Sequence, residues 1–449
     1  MTLSRNSIRL RLHRHRRARW IPAAVALVVA AFPLSATADV PVCQSTTVQD
    51  GYAAENALRL PYLPSDTTAL LTESWITYRD RFIADDGRVI DWERADQHTT
   101  SEGQAYAMLR AVMINDRVAF HKTLSWAEAN LARRNEAGDP LDQLWAWRWG
   151  EQSSGAWGIL DQNFASDADI DAITALLFAA NRWGCPAYQE LAQQKLADLW
   201  EHSTLDIKTL NGTPSDGTPA PDSIAQDRIL LPGPREAFFP ENDTLILNPS
   251  YIAPYAFRLF ADADPAHNWM GLVDSGYRIL EAASALSSTG LPGDWIVYNP
   301  QRDRYEPLPS SSPLTSNYSF DAFRVWWRVG LDAAWFYEPR AFHYLQTHSA
   351  YLRQLWQEQQ ALPARLSGNG QVLADYEATA QYAMLYPALA LTEPELAAQI
   401  LDQKLTPTYE NGFWDNDSAY YTQNLAWLGL LPLQRPSFSA AAVGFHPNN

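Results

Sequence analysis

Residues Thr99–Val112 read TTSEGQAYAMLRAV, and this stretch predicts the start of a helix. Ser101 and Gln104 have the S-x-x-Q spacing of a capping box, in which the two side chains satisfy free backbone groups of the first turn. Apolar residues then recur from Tyr106 to Met113 at spacings of three and four, which is one face of a helix. The capping residues and the periodicity therefore agree on an amphipathic helix.

Glu102 is the residue in this stretch that the helix does not explain. In one interpretation the carboxylate is simply stabilised near the positive end of the helix dipole. In the other it is functional, and Gly103 beside it lets a ligand approach the backbone closely. The stretch alone leaves both interpretations open.

Other predicted helices also begin with more polar residues than a cap requires. Asp167 and Asp169 precede AITALLFAANRWG, Pro249 in LNPSYIAPYAF is preset for a first turn, and Asp321 lies in NYSFDAFRVWW, where Ser319 is the predicted cap. If alternate helices of a ring run in the same direction, these starts share one end of it. We expect the carboxylates, Glu102 included, to gather there.

The chain as a whole reads as about twelve helices with few strand signals, from Asp66–Phe82 to Ser418–Leu430, with one long helix predicted at Ala341–Gln360. Many of the helices come in pairs, and no low-complexity linker divides them. A single all-α domain over residues 39–435 is the simplest interpretation.

A long interruption rich in Gly, Pro, Asp and Ser runs from Ser203 to Asn248. Loops of this length are usually functional or disordered. We predict that the first half is disordered and that the second half, with Phe238 and Phe239, packs at the rim of a site or on the surface.

Residues 1–38 have the layout of a cleaved export signal: seven arginines, the apolar run IPAAVALVVAAF and an A-x-A cleavage site at Ala36–Ala38. The apolar run is shorter than a membrane span, which needs about 20 residues. We therefore expect a periplasmic or secreted protein that has no membrane anchor after cleavage.

Residues 436–449 are expected to form a C-terminal tail. Cys43 and Cys185 could pair in an oxidising compartment or remain free.

Charge excludes two classes of partner. Removing the signal takes away seven arginines and no acidic residue, so the formal net charge goes from -17 to -24. Nucleic acids and anionic membranes both require a positive protein surface, so neither is an expected partner.

Metal and nucleophile motifs are equally unsupported. Asp167, Asp169 and Asp171 form a D-x-D-x-D run, but a calcium loop of that kind needs Gly and Glu where Ala172 and Phe178 stand. The sequence also contains no zinc spacing, G-x-S-x-G or phosphate-binding glycine loop. We expect neither a metal nor a cofactor.

Aromatic residues are the other distinctive feature, with 18 tryptophans and a dense run in LWAWRWG. Most tryptophans fill cores. A polar cleft with flat aromatic faces would nevertheless suit a sugar polymer, and Trp147, Trp149 and Trp157 are the candidates for such faces.

Taken together, these segments resemble glycoside hydrolase family 8. The ordered set is TTSEGQAYAML, WRWG, LDQNFASDADID, LLPG, LNPSYIAPYAF, GLPGDWIVY and NYSFDAFRVWW. The segment DDGRVIDWERADQHTTSEGQ is most similar to the periplasmic members associated with bacterial cellulose synthesis. The resemblance implies an (α/α)6 barrel of paired antiparallel helices, with long loops at the active-site end, and an inverting endo-β-1,4-glucanase. It also implies a β-1,4-linked polysaccharide substrate and a cellulose synthase complex as a partner.

The resemblance further implies roles for individual residues. Glu102 corresponds to the general acid, Asp321 to the general base and Asp167 to the residue that positions the sugar at the cleavage point. Arg324 lies beside the base, and Asp169 and Tyr251 would face the same cleft.

The sequence departs from the family at one position next to the base. Phe320 stands where the family usually has tyrosine, so a hydroxyl is missing unless Tyr318 replaces it. Other family 8 substrates (xylan, chitosan or mixed-linkage glucan) remain alternatives, as does a weakly active glucan-binding component of a polymer-secretion system.

Overall fold

The computed structural model describes residues 65–209, 227–240 and 244–436, all of them in one compact unit. The predicted export signal, Cys43, residues 210–226 of the interruption and the tail from residue 437 lie outside this part. Cys185 is in a disulfide. No helix in the described ranges has both the length and the apolar character needed to cross a membrane.

Helices make up most of the fold. They are α1 Ser65–Phe82, α2 Ser101–Ile114, α3 Arg117–Asn130, α4 Ser166–Trp183, α5 Pro186–Ser203, α6 Arg235–Phe238, α7 Pro254–Ala263, α8 Trp269–Ala285, α9 Phe323–Phe336, α10 Pro339–His348, α11 Ala350–Gln359, α12 Thr379–Thr392, α13 Pro394–Ile400 and α14 Tyr420–Leu430.

Six of the helices form a closed inner ring. In the order α2, α4, α7, α9, α12 and α14, each helix contacts the next, and α14 returns to α2. Five of them pack against the outer helix that follows in sequence, which is α3, α5, α8, α10 or α13, and α14 packs against the first helix, α1. The predicted (α/α)6 barrel is confirmed.

Position in the ring explains how each helix is buried. Helix α2 has buried residues all round, with Glu102 its one partly exposed residue, because inner neighbours flank it and α3 covers its back. Outer helix α3 instead buries a single stripe that includes Phe120, Leu124 and Ala127, as an amphipathic surface helix should. The predicted apolar face of α2 is therefore only part of its buried surface.

Short strands occupy the loops. They are β1 Thr99–Thr100, β2 Ala132–Arg134, β3 Pro140–Glu151, β4 Trp157–Phe164, β5 Thr204–Asp206, β6 Arg228–Leu230, β7 Leu245–Leu247, β8 Ile296–Asn299, β9 Arg304–Pro307, β10 Tyr409–Glu410 and β11 Phe413–Trp414. Strand β3 pairs antiparallel with β1, β2 and β4, and β7, β8 and β9 form a second small sheet. The hairpin β3–β4, which carries the tryptophan-rich run, lies directly before α4.

The helix predicted at Ala341–Gln360 is wrong as a single element, because it is divided into α10 and α11 at Ser349. The Ser349 hydroxyl donates a hydrogen bond to the Leu345 carbonyl at 2.6 Å. Such back-bonding by serine bends helices.

Candidate active site

Arg324, in the first turn of α9, brings three carboxylates together. Its Nη1 donates to Asp167 Oδ2 at 2.7 Å and to Glu102 Oε1, and its Nη2 donates to Asp321 Oδ1 at 2.5 Å. Nη2 also donates to Ser250 Oγ at 3.1 Å. The predicted gathering of carboxylates at one end of the ring is thus observed for Glu102, Asp167 and Asp321.

The members of this carboxylate cluster differ in exposure. The side chains of Arg324 and Asp167 are 2% and 3% exposed, whereas those of Glu102 and Asp321 are 23% and 31% exposed. Arg324 and Asp167 therefore form the floor, and Glu102 and Asp321 are the carboxylates that a ligand can reach.

Glu102 is positioned by a cap that differs from the prediction. Thr100 is the N-cap of α2, and its hydroxyl accepts a hydrogen bond from the Gly103 N–H at 3.1 Å. The predicted Ser101–Gln104 capping box is wrong. The Gln104 amide instead links the loop at Val89 to helix α3, because its Oε1 accepts from the Val89 N–H at 2.6 Å and its Nε2 donates to the Thr123 carbonyl at 3.0 Å.

Gly103 is explained by a tyrosine. A Cβ atom at this position would lie 1.8 Å from the Tyr420 hydroxyl oxygen, far inside any allowed contact. That hydroxyl is 3.1 Å from Thr100 Oγ1, so Tyr420 braces the start of α2. A close approach at Gly103 is therefore made by the protein itself, which explains the glycine without a ligand.

The three aspartates at the start of α4 point to three different partners. Asp167 contacts Arg324, Asp169 Oδ1 accepts from the Trp145 N–H at 3.2 Å, and Asp171 forms a bidentate ion pair with Arg328 at 2.9 Å. Successive odd positions on a helix lie about 200° apart, so adjacent members of such a run face different directions. Asp169 thus lies outside the carboxylate cluster; it is fully buried, and burial raises its pKa to about 8.

Asp321 lies just before α9 rather than within it. The helix begins at Phe323, and its N-cap residue Ala322 makes no side-chain cap, so the predicted helix start at Asp321 with a Ser319 cap is wrong. The indole N–H of Trp295 donates to Asp321 Oδ2 at 3.0 Å. Asp321 is therefore held between Trp295 and Arg324.

The electrostatics of the cluster favour a protonated Glu102. Burial raises the pKa of Glu102 to about 7, Arg324 opposes this shift, and Asp167 and Asp321 add to it. The two neighbouring carboxylates thus contribute to the raised pKa of Glu102, although burial is the largest cause. Burial also raises the pKa of Asp321, against the effect of Arg324 and with the help of Asp167.

Two of the three candidate tryptophans pack against each other beside the start of α2. In the β1–β3 pair, Thr99 lies opposite Trp149, three residues before Glu102. The rings of Trp149 and Trp157 are 5.2 Å apart, and the Arg88 guanidinium lies 4.9 Å and 4.6 Å from their centres. Trp157 is 47% exposed, so it offers a firmly supported aromatic face to solvent.

Trp147 is half-buried, and in the described part of the chain it does not join the Trp149–Trp157 pair. Its ring centre lies 5.9 Å from the guanidinium of Arg148, the next residue along β3.

Aromatic residues also line the side of the cluster near Asp321. Phe238, from the described second half of the long interruption, stacks parallel to Trp295 at 5.9 Å. Tyr251 lies 6.0 Å from Trp295, and the Arg324 guanidinium lies 5.4 Å from the Tyr251 ring. Phe239 is buried. The prediction that this half of the interruption packs is confirmed, and it packs beside the carboxylates.

Tyr318 does not supply the hydroxyl that Phe320 lacks. It is 2% exposed, and its hydroxyl accepts a hydrogen bond from the Trp326 indole at 2.9 Å inside the core. A second tyrosine, Tyr421 from α14, places its hydroxyl beside Phe320, because that hydroxyl donates to the Phe320 carbonyl at 2.7 Å. Burial raises the pKa of Tyr421 well above its usual value, with Arg324 opposing and Glu102 adding to the shift.

Several neighbours of the cluster were not identified from the sequence. Tyr106 donates to Glu102 Oε1 at 3.3 Å, and Ser250 and Trp295 contact Arg324 and Asp321. Ser250 and Trp295 lie inside quoted motifs, so they could have been found there. Tyr421 had no local signal, because α14 reaches the cluster only when the ring closes.

Comparisons with known proteins agree with this architecture. The pattern of Glycosyl hydrolases family 8 matches residues 52–435. An endoglucanase from Xanthomonas axonopodis pv. citri (strain 306) is 35% identical over 273 residues, which are 61% of this chain and 62% of that protein. The match thus spans less than two thirds of that curated relative.

Solved structures show the same fold. The endo-1,4-D-glucanase from Vibrio fischeri ES114 superposes with a TM-score of 0.63 at 24% identity, over 80% of this chain and 93% of that chain. The β-1,3-1,4-glucanase from Paenibacillus sp. X4 gives a TM-score of 0.65 at 19% identity, over 83% and 94%. With the family pattern covering most of its length, this chain belongs to glycosyl hydrolase family 8.

Proposed function

We propose that the protein is an inverting endo-β-1,4-glucanase that hydrolyses internal bonds of cellulose or a related glucan. One observation carries the proposal: Glu102 and Asp321, the two reachable carboxyls, bind different nitrogens of one buried guanidinium. The naming of several relatives as endoglucanases supports the same substrate class.

Glu102 is the proposed general acid. An acid that works near neutral pH needs a raised pKa, and burial holds that of Glu102 at about 7. In the reaction its proton passes to the glycosidic oxygen as the bond from that oxygen to the anomeric carbon breaks.

Asp321 is the proposed general base. It takes a proton from a water molecule whose oxygen attacks the anomeric carbon from the opposite face, so the configuration inverts. Asp167 and Tyr251 are proposed to hold the sugar at the cleavage point, with Arg324 holding the three carboxylates in place. Acid, base and water complete this reaction, so it needs no metal or cofactor.

Aromatic faces on two sides of the carboxylates suit a chain of pyranose rings. Trp149 and Trp157 are the proposed platforms near Glu102, and Phe238 with Trp295 forms the wall near Asp321. Platforms on both sides would bind a polymer along its length, which favours cleavage of internal bonds.

The setting of the enzyme is part of the proposal. The predicted export signal supports a periplasmic or secreted location, and the similarity of the DDGRVIDWERADQHTTSEGQ segment supports a role beside a cellulose synthase complex. The strongly negative formal charge suits a neutral polysaccharide better than an anionic partner.

The test is proton NMR of cellohexaose cleavage during the first minutes. We expect new α-anomer before mutarotation. Initial β-anomer would overturn the inverting mechanism. Cleavage of xylan, chitosan or mixed-linkage glucan, without cleavage of cellohexaose, would show that the substrate is another polysaccharide of the family.

Phe320 favours one rival function, a glucan-binding component with little activity, because the family hydroxyl is missing there. The Glu102→Gln variant separates the two functions. An enzyme loses at least about 100-fold in kcat when its general acid is removed, whereas a binding protein retains its affinity and its function.

A further inference from the structure

The segment that carries Asp321 is held by another carboxylate, Asp294. Asp294 Oδ1 accepts hydrogen bonds from the N–H groups of Ser319 at 3.1 Å and of Ala322 at 2.9 Å. Its Oδ2 accepts from the Ser319 hydroxyl. Asp294 is only 7% exposed, so these three bonds, rather than water, satisfy its carboxylate.

The backbone around Asp294 strengthens the same attachment. The Asp294 N–H donates to the Asn317 carbonyl at 2.8 Å, and the Trp295 N–H donates to the Thr315 carbonyl at 3.1 Å. The Trp295 indole then reaches Asp321 itself at 3.0 Å. Two consecutive residues thus fix both the backbone before Asp321 and the orientation of its carboxylate.

This attachment matters because Asp321 is not part of a regular element. Helix α9 begins two residues later, at Phe323, without a side-chain cap. A residue in such a segment depends on contacts from elsewhere for its position, and errors of about 1 Å in an active site cost about 100-fold in rate.

We propose that Asp294 is a positioning residue for Asp321, which it holds at the distance and angle needed to activate water. This inference rests on the proposed function, in which Asp321 is the base. Asp294 itself contacts backbone and Ser319 and has no direct part in proton transfer.

Three variants separate positioning from charge. Asp294→Ala removes all three bonds, Asp294→Asn retains an acceptor oxygen for the two N–H groups but loses the charge, and Ser319→Ala removes only the hydroxyl bond. We expect kcat on cellohexaose to fall about 100-fold for Asp294→Ala. We expect it to fall about 2- to 10-fold for the other two variants, with KM within about twofold in all three.

A second substrate identifies the step that is lost. Hydrolysis of β-cellotriosyl fluoride breaks the bond from carbon to fluorine, and fluoride leaves without a proton. The reaction therefore needs the base and its water but not the acid. We expect Asp294→Ala to lose the same factor on both substrates. The Glu102→Gln control should lose much more on cellohexaose than on the fluoride.

The inference is overturned if Asp294→Ala has an unchanged kcat, if it raises only KM, or if its kcat falls on cellohexaose but not on β-cellotriosyl fluoride. If Asp294→Ala does not fold, Ser319→Ala decides: an unchanged kcat refutes positioning, and a lowered kcat with unchanged KM on both substrates supports it. A wild-type protein that cleaves neither substrate would contradict the proposed function rather than this inference.

Discussion

Replacing Asp167 by Asn should move the pH profile of the enzyme to lower pH. Asp167 and Glu102 both accept hydrogen bonds from Nη1 of Arg324, so their oxygens are at most about 5.6 Å apart, two bonds of about 2.8 Å. At an effective dielectric constant of about 20, two negative charges at that distance repel each other by about 3 kcal/mol, or about 2 pH units. Because the Glu102 side chain is 23% exposed, solvent reduces this to about 1 to 2 units.

The sign follows from which form of Glu102 the charge disfavours. Asp167 disfavours the Glu102 anion, so its removal makes Glu102 a stronger acid and lowers its pKa from about 7. The protonated form of Glu102, the proposed general acid, is then lost at lower pH, and the basic limb of kcat/KM moves down. Asp167 also raises the pKa of Asp321, so the acidic limb should move in the same direction.

The assay is the initial rate of cellohexaose hydrolysis from about pH 4 to pH 9. The position of each limb in kcat/KM reports the free enzyme, whatever the loss in absolute rate. Glu190→Gln, on the exposed side of α5, is the matched control, since it removes one negative charge away from the cluster. A basic limb that stays in place in Asp167→Asn, or that moves up, would refute the electrostatic reasoning.

Three further substitutions test other parts of the structure. Gly103→Ala should destabilise the protein by about 2–3 kcal/mol in urea unfolding, because its Cβ would lie 1.8 Å from the Tyr420 hydroxyl. Adding Tyr420→Phe to the same chain should recover part of that stability, and a double variant as unstable as Gly103→Ala alone would contradict this contact. Trp157→Ala should raise KM for long cello-oligosaccharides about tenfold with little change in kcat, whereas unchanged KM would remove Trp157 from the binding surface. Asp171→Ala should cost about 3–5 kcal/mol in the same unfolding assay, since it leaves the buried Arg328 without its bidentate partner, and a cost below about 1 kcal/mol would show that the pair contributes little.

The sequence was most informative where function and local pattern coincide. Glu102, Asp167 and Asp321 each lie at or just before the start of an inner helix, and in a ring whose inner helices run in one direction such starts must meet. The partnership with Arg324 was suggested by its motif, three residues after Asp321. What could not be seen was that a single guanidinium binds all three carboxylates.

The errors come from contacts that are distant in sequence or from one-residue shifts. Thr100 rather than Ser101 caps α2, and the two are equivalent by residue type. The reason for Gly103 lies more than 300 positions away in Tyr420. The strand β3 did have a local signal, because tryptophans alternate with small or charged residues at Trp145, Trp147 and Trp149, a period of two. Trp147 and Trp149 were considered only as core residues or candidate aromatic faces, and the period of two was not used to predict a strand.

Closure of the helix ring determines when, during synthesis of the chain, the carboxylate cluster can be assembled. Helix α14 completes the ring against α2, and its Tyr420 and Tyr421 contact Thr100 and the Phe320 carbonyl. During synthesis at about 5–20 residues per second, α2 is made many seconds before α14. The carboxylates therefore lack these contacts until α14 has been made, and catalytic competence should arise in one late step, when α14 docks between α12 and α2.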